Sequence, residues 1–164
     1  MPNWCDNSVR LTHSDKSKVD ALEAVLQSED KQVFQHLRPM PESEKDNWYD
    51  WNLTHWGTKW EISIIDSERQ DDDTIWISFS TAWSPPIALY EYLFSEGWEV
   101  EGLYHEGGMC YAGIYKDGED DYHEYDISDL DSLKALPSEV EEFGGLIDYH
   151  NSMKEDGAFD EENS

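Results

Sequence analysis

The chain has 164 residues, of which 38 are Asp or Glu and 11 are Lys or Arg, and its formal net charge is −27 at pH 7. This excess of carboxylates argues against direct binding to nucleic acid or to anionic membranes, because phosphate recognition requires cationic side chains. Aromatic residues make up 13% of the chain and include eight Trp, which is typical of a chain that buries a core. We therefore expect one folded domain over residues 1–152, followed by a disordered tail over residues 153–164.

The sequence shows no signal for secretion or for membrane insertion. No charged-then-apolar segment opens the chain, and no apolar run approaches the roughly 20 residues that cross a membrane. Cys5 and Cys110 lie too far apart for a CxxC motif. We expect a cytoplasmic protein whose thiols are reduced.

The first predicted elements are a strand and a helix. From residue 4 to residue 13 the pattern alternates with a period of two, which predicts a strand. Ser14 is the expected N-cap of a helix over residues 15–27, because apolar residues recur there at helical spacing. The residues expected to face the core are Cys5, Asn7, Val9 and Leu11 from the strand and Val19, Leu22, Val25 and Leu26 from the helix.

The next segment is irregular and rich in tryptophan. Between Trp48 and Trp60 the chain carries four Trp in thirteen residues. Exposed to water, these rings would form a large apolar patch, so we expect the segment to fold back over the sheet. Apolar alternation then predicts a second strand from Trp60 through Ile64 and a third over residues 75–81.

The second half of the chain contains another helix and a hairpin. Two prolines suit the start of a helix over residues 85–97, and a fourth strand begins at Trp98. A turn at two glycines leads into a fifth strand over residues 109–116, and a short sixth strand is expected over residues 122–126. A helix over residues 138–151 follows, and the apolar residues on one side of it are Val140, Phe143, Leu146 and Ile147.

The predicted order of the first elements is β-α-β-β-α-β. This order describes a ferredoxin-like split β-α-β sandwich of the α+β class, in which two helices cover one face of an antiparallel sheet. The additional hairpin strands and an acidic helix, together residues 117–152, extend that unit.

Four short segments resemble a known family. They are MPNWCDN at residues 1–7, YDW at 49–51, WGTKW at 56–60 and TAWSPP at 81–86. Together they resemble the YubB ferredoxin-like family of conjugative plasmids and phages, to which the phage Api-type proteins are related, over roughly residues 1–116. The resemblance implies a ferredoxin-like fold carried on a mobile element, and the host cell cytoplasm if the element is a phage. It implies no activity, because the family is one of unknown function.

No catalytic residue, metal site or cofactor is predicted. Cys5 lies on the core-facing side of its strand, where a thiol is inert packing. The sequence has neither a zinc-protease helix motif nor a phosphate-binding loop. An enzyme of an unrecognised type stays open as an alternative.

The acidic end of the chain motivates the main functional hypothesis. Residues 117–164 hold 17 acidic and 2 basic residues, and rows of carboxylates can occupy a cationic channel that otherwise holds nucleic acid. We therefore expect a non-enzymatic inhibitor of a host defence or DNA-processing protein. Its partner would be a basic host protein that binds nucleic acid, and its own state a monomer or small homo-oligomer. The residues expected to contact the partner are Asp117, Glu119, Asp120, Asp121, Glu124, Asp126, Asp129, Asp131, Glu139, Glu141 and Glu142.

An aromatic surface is the alternative. In that reading the protein is an adaptor that binds a protein partner through Trp48, Trp51 and Trp56. A related possibility is a base-stacking platform of Trp4, Trp51, Trp56 and Trp76 on the sheet. The competing expectation is that these rings simply close the sheet face beneath the 34–60 segment.

Overall fold

The computed structural model describes residues 3–157. These residues form an α+β fold around one six-stranded sheet in which every neighbouring pair of strands is antiparallel. The predicted class and the antiparallel sheet are therefore confirmed. The strands are β1 (Trp4–Thr12), β2 (Ser63–Arg69), β3 (Thr74–Ala82), β4 (Glu99–Glu106), β5 (Tyr111–Lys116) and β6 (Glu119–Glu124), and their order across the sheet is β2-β3-β1-β4-β5-β6.

Seven α-helices lie within residues 3–157, and a 3-10 helix over Glu42–Asn47 precedes the third of them. They are α1 (Lys16–Gln27), α2 (Val33–Leu37), α3 (Trp48–His55), α4 (Ile87–Ser95), α5 (Leu130–Lys134), α6 (Ser138–Gly144) and α7 (Leu146–Glu155). None of the described helices is both long and apolar enough to cross a membrane.

The central strand β1 explains the position of the main core. Val9 lies opposite Ile77 of β3 and Gly102 of β4, and the odd-numbered residues of β1 from Cys5 to Leu11 are buried as predicted. The buried side chains of α1 and α4 pack on this face, because both helices carry an apolar stripe. The core includes Val19, Leu22 and Leu26 of α1, Leu89, Tyr90 and Leu93 of α4, and Ile75, Ile77 and Phe79 of β3.

A second core lies on the opposite face of the sheet, under β4 and β5. Neighbouring residues of a strand point to opposite faces, so Leu103 belongs to this core while Tyr104 is buried on the other side. The three C-terminal helices supply half of the buried residues of the second core. Its buried members are Ala112, Tyr125, Leu133, Leu136, Val140 and Leu146.

Several predicted boundaries differ from the structure. The side chain of Asp15, not Ser14, accepts a hydrogen bond from the Ser17 amide and caps α1. The expected single helix over 138–151 is two helices, because Gly145 adopts a left-handed conformation with φ of 59° between α6 and α7.

The segment before β2 also differs. The structure has helix α3 where an irregular segment was expected, and β2 begins at Ser63 rather than at Trp60. The sixth strand, predicted over 122–126, is β6, which begins three residues earlier and ends two residues earlier. The expected tail begins within α7, which ends at Glu155, and residues 158–164 lie outside the described residues.

Candidate functional site

The eleven acidic residues identified from the sequence, here called the acidic surface, lie in the turn before β6, on β6, in the segment between β6 and α5, and on helices α5 and α6. Ten of the eleven side chains are exposed, and Glu141 is half-buried. Strand β6 is an edge strand, so its outer side is unpaired within the described sheet. Charged residues on an edge strand also prevent unwanted pairing between sheets, which gives part of this surface a structural role.

Some members of the acidic surface are engaged in local structure. Asp117 accepts a hydrogen bond from the Val100 amide at 2.8 Å, and Asp120 accepts one from the Tyr104 hydroxyl at 2.6 Å. The further engaged members are Asp121, which lies 2.9 Å from His123 Nε2; Glu124, bound by the Tyr122 hydroxyl; Asp126, bound by Ser128; Asp129, which caps α5; and Glu141, bound by the Ile147 amide.

Four members of the acidic surface have no such engagement. Their side chains make no hydrogen bond or ion pair with another described residue, and all four are exposed. They are Glu119, Asp131, Glu139 and Glu142.

The acidic surface is also short of compensating cations. Within residues 3–157, no Lys or Arg forms an ion pair with any of its eleven members. Lys116, the nearest basic residue in sequence, pairs instead with Glu101 at 3.5 Å. Lys134 and Lys154 are exposed on the C-terminal helices without a carboxylate partner among the described residues. The negative charge of this region is therefore largely uncompensated by the protein itself.

The predicted tryptophan surface needs correction. Trp51 and Trp56 are 7% and 4% exposed and belong to the main core. The Trp56 ring packs edge-on against Phe34, and its Nε1 donates to the Arg38 carbonyl at 3.0 Å. Of the three tryptophans predicted to bind a partner, only Trp48 is exposed. The other two belong to the main core, Trp51 from α3 and Trp56 from the residue that follows α3.

The hypothesised base-stacking platform is divided between the two faces of the sheet. Trp4 and Trp76 occupy the alternate positions of β1 and β3, on the face opposite the main core that holds Trp51 and Trp56. The indole Nε1 of Trp76 donates to the Ser8 hydroxyl at 2.8 Å. These four rings therefore do not form one surface.

A different group of aromatic residues surrounds Lys59. The Lys59 ammonium lies 4.4 Å from the ring centre of Trp60, 5.1 Å from that of Trp83 and 5.9 Å from that of Tyr49. Trp4 extends the group, with its ring centre 6.5 Å from that of Trp60. We call these four rings and Lys59 the aromatic cluster. Trp4, Tyr49 and Trp83 are each 40–43% exposed.

Trp83 holds a strained backbone conformation in this cluster. Its φ of 69° is an outlier for a bulky residue. The Trp83 amide donates to the Asn3 carbonyl at 2.8 Å, and its carbonyl accepts a hydrogen bond from the Tyr111 hydroxyl. Buried Thr58 donates to the neighbouring Ala82 carbonyl at 3.0 Å. Such strain persists only where surrounding contacts enforce it, and it is enriched at ligand-binding sites.

Sequence reasoning missed this cluster because its members are far apart in the chain. Lys59 and Trp60 lie in one predicted motif and Trp83 in another, but a conformation with positive φ cannot be read from a Trp-Ser-Pro-Pro sequence. The one sequence feature that pointed to this cluster was Lys59, a basic residue between a threonine and a tryptophan in a strongly acidic chain.

The described residues contain no group of three or more His, Cys, Asp and Glu side chains that could hold a metal ion.

Comparison with known proteins gives a distant structural similarity. The sequence matches no protein-family model and no curated protein. Among solved structures, the chain is similar to the protein api92 from Yersinia pseudotuberculosis, described under the family DUF1281, with 11% sequence identity and a TM-score of 0.46. The match covers 77% of this chain and 99% of that chain. A similarity this distant assigns no family, and membership of the YubB family stays a prediction.

Proposed function

We propose that this protein is a non-enzymatic acidic binding protein whose partner is a basic protein that otherwise binds nucleic acid. The observation that supports this proposal is the acidic surface, where eleven carboxylates have no Lys or Arg partner within residues 3–157. In this role it acts in the cytoplasm, as a monomer or small homo-oligomer, and inhibits a host defence or DNA-processing protein on behalf of a phage or plasmid.

The row of charge along β6 favours a nucleic-acid-binding partner. Glu119 and Asp121 lie on the same face of β6, about 6.6 Å apart, because a strand rises about 3.3 Å per residue and neighbouring residues point to opposite faces. This distance is about twice the 3.4 Å between phosphate charges along one strand of a DNA duplex. A cationic groove that neutralises a row of phosphates can also neutralise these carboxylates and release counterions, at about half the charge density.

The test uses the full chain as bait in host lysate, followed by affinity measurements with the captured protein at several salt concentrations. A first variant neutralises the four unengaged acids through Glu119→Gln, Asp131→Asn, Glu139→Gln and Glu142→Gln. A matched control neutralises four exposed acids elsewhere, through Glu29→Gln, Asp30→Asn, Asp46→Asn and Glu91→Gln. Both variants raise the net charge by four, so they differ only in location.

We expect the affinity for the captured protein to fall steeply as the salt concentration rises. In the first variant, the slope of log affinity against log salt concentration should become shallower by up to about 0.9 per neutralised charge. The control should keep a slope close to that of the original protein. Binding that is insensitive to salt, or an equal loss in both variants, would contradict the proposal.

The aromatic cluster favours a second candidate, an adaptor that binds its partner through exposed rings. The supporting observation is the enforced strain at Trp83, which holds an indole 43% exposed beside Lys59. Tryptophan is enriched among the residues that dominate interface energies. Here Trp83→Ala should weaken capture of the partner by about tenfold or more, corresponding to at least about 1.4 kcal/mol. The matched control is Phe94→Ala, because Phe94 is 44% exposed but lies on α4.

We also propose the finer fold assignment, a ferredoxin-like arrangement within a YubB-type family. The strand order β2-β3-β1-β4 and the connections β1-α1 and β3-α4-β4 support it. An experimental structure of this protein, compared with one of a YubB protein, would test the assignment. A different strand order in the latter would refute it.

A further inference from the structure

A cavity of about 300 Å³ lies between the β4–β5 turn and the C-terminal helices. This volume is at the lower end of the range of small-molecule sites. The cavity is distinct from both the acidic surface and the aromatic cluster. Its walls are mainly apolar, and they include His105, Cys110, Tyr125, Leu146, Tyr149 and Met153.

One hydrogen-bonded pair supplies polarity inside the cavity. The His105 Nε2 atom lies 2.7 Å from the Tyr125 hydroxyl. Burial lowers the pKa of His105, and burial raises the pKa of Tyr125, so both groups are uncharged at neutral pH. His105 Nε2 can accept a hydrogen bond from the tyrosine hydroxyl or donate one to it, depending on the histidine tautomer. If the histidine accepts, the hydroxyl oxygen can accept a hydrogen bond from a ligand. If the histidine donates, the hydroxyl can donate its hydrogen to a ligand.

The turn that forms one wall is held rigidly. The buried carboxylate of Glu106 accepts hydrogen bonds from the amides of Gly108 at 2.6 Å and Met109 at 3.0 Å. Cys110 follows with a positive φ of 58°, which is uncommon for a residue with a side chain. These contacts fix the thiol of Cys110 at the cavity wall.

The charges around the cavity restrict what it can hold. Glu106 places a carboxylate in the same turn, and the C-terminal region from residue 117 is strongly acidic. An anionic ligand would be repelled. We propose that this cavity is a binding site for an uncharged, mainly apolar small molecule with one hydroxyl or carbonyl group, which hydrogen-bonds to the His105–Tyr125 pair while its apolar body packs on Leu146 and Met153. The site is independent of the proposed partner-binding function.

Three matched probes test this proposal: p-cresol, toluene and p-toluate. They share an aromatic ring with a methyl group and differ in carrying a hydroxyl, nothing or a carboxylate. The first readout is the chemical shift of backbone amides during titration of the full chain. We expect p-cresol to shift amides near the cavity saturably, with a Kd on the order of 1 mM for an eight-atom ligand. Toluene should bind more weakly, and p-toluate should not bind.

Cys110 provides a second readout, alkylation by iodoacetamide. Burial raises the pKa of Cys5 to about 12 and leaves that thiol inaccessible, so Cys110 is the reactive cysteine. At three times its Kd, p-cresol should slow alkylation of Cys110 about fourfold by mass action. Met109, 69% exposed on the same turn but not part of the cavity wall, should show no protection from peroxide.

The variant Tyr125→Phe separates polar recognition from shape. It should narrow the difference in affinity between p-cresol and toluene, because the ring remains while one of the two polar groups of the pair is lost. Amide spectra of the variant report whether it is folded. If it is not folded, the comparison of the three probes on the original protein still tests the proposal. The proposal is overturned if p-cresol gives no saturable shifts near the cavity, if p-toluate binds as well as p-cresol, or if Cys110 is not protected.

Discussion

Trp83 shows how a single residue can combine backbone strain with an exposed ring. Its positive φ is enforced by the hydrogen bond that its carbonyl accepts from Tyr111 of β5 and by the one that its amide donates to Asn3, just before β1. A side chain in this conformation costs about 1–2 kcal/mol relative to glycine. The remainder of the fold therefore stabilises a conformation that presents an indole at the surface.

This strain can be measured with two variants at the same position. Trp83→Ala and Trp83→Gly both remove the ring, but only the glycine variant relieves the positive φ. We expect Trp83→Gly to be more stable than Trp83→Ala by about 1 kcal/mol. Urea unfolding of both proteins measures the difference, and a glycine variant less stable than the alanine variant would contradict it.

Tryptophans that look alike in sequence have opposite environments. Trp48 and Trp56 lie eight positions apart in one motif-rich segment, yet they are 42% and 4% exposed. We expect Trp56→Ala to lower the free energy of unfolding by about 3–5 kcal/mol, because it leaves a cavity beside Phe34. Trp48→Ala should change it by about 0.5 kcal/mol or less, as for other surface sites. Equal effects of the two substitutions in urea unfolding would be inconsistent with the structure.

At the scale of elements, helix α2 depends on a residue distant in sequence. The Glu61 carboxylate accepts hydrogen bonds from the amides of Phe34 at 2.8 Å and Gln35 at 3.0 Å, and from the adjacent Ile62 amide at 3.2 Å. The N-cap residue of α2, Gln32, makes no side-chain hydrogen bond with the helix end. Glu61 therefore satisfies donors that a local cap would otherwise satisfy.

Removing this carboxylate should destabilise the protein in a manner that depends on pH. Burial raises the pKa of Glu61, although its three amide contacts oppose the shift. A raised pKa means that the carboxyl contributes most stability below its unfolded pKa of about 4.3, and that this contribution falls as the pH rises through the folded value. We expect Glu61→Ala to cost about 1–3 kcal/mol through unsatisfied amides. The deficit should be larger at pH 4 than at pH 7, and urea unfolding at both pH values tests its sign.

The C-terminal helices show a limit of local reasoning. Apolar spacing correctly indicated Val140 and Leu146 as buried residues, but not the face of the sheet that they would cover. That choice follows from Leu103 and Ile114, which leave the second face of β4 and β5 apolar. The division at Gly145 places Val140 in α6 and Leu146 in α7, and both side chains belong to the second core.

At the scale of the whole molecule, self-repulsion opposes folding. The accessible surface is 8966 Å², which corresponds to about one net negative charge per 330 Å². Added salt screens such repulsion, and the Debye length falls from about 30 Å at 0.01 M to about 8 Å at 0.15 M.

Sodium chloride should therefore stabilise this protein. We expect the Tm to rise between 0.01 and 0.3 M NaCl, by about 2–4 °C for each kcal/mol of repulsion relieved. Calorimetry measures the shift, and chloride is preferred because sulfate strengthens apolar burial by a separate route. The four-acid neutralised variants should show a smaller shift. A Tm that falls with salt would show that the net repulsion is not the dominant electrostatic term.

The sequence by itself determined the central strands, helices α1 and α4 and the acidic character of the C-terminal region. Strand alternation, helical periodicity and composition are local properties, so β1 and its buried residues could be derived without knowledge of the partners. Only the tertiary structure decided that Trp51 and Trp56 are core, that Trp83 joins Tyr49 and Trp60 around Lys59, and that the His105–Tyr125 pair lies in a cavity. These outcomes depend on contacts between segments distant in sequence, and the burial of an aromatic ring is decided by which segments pack against it.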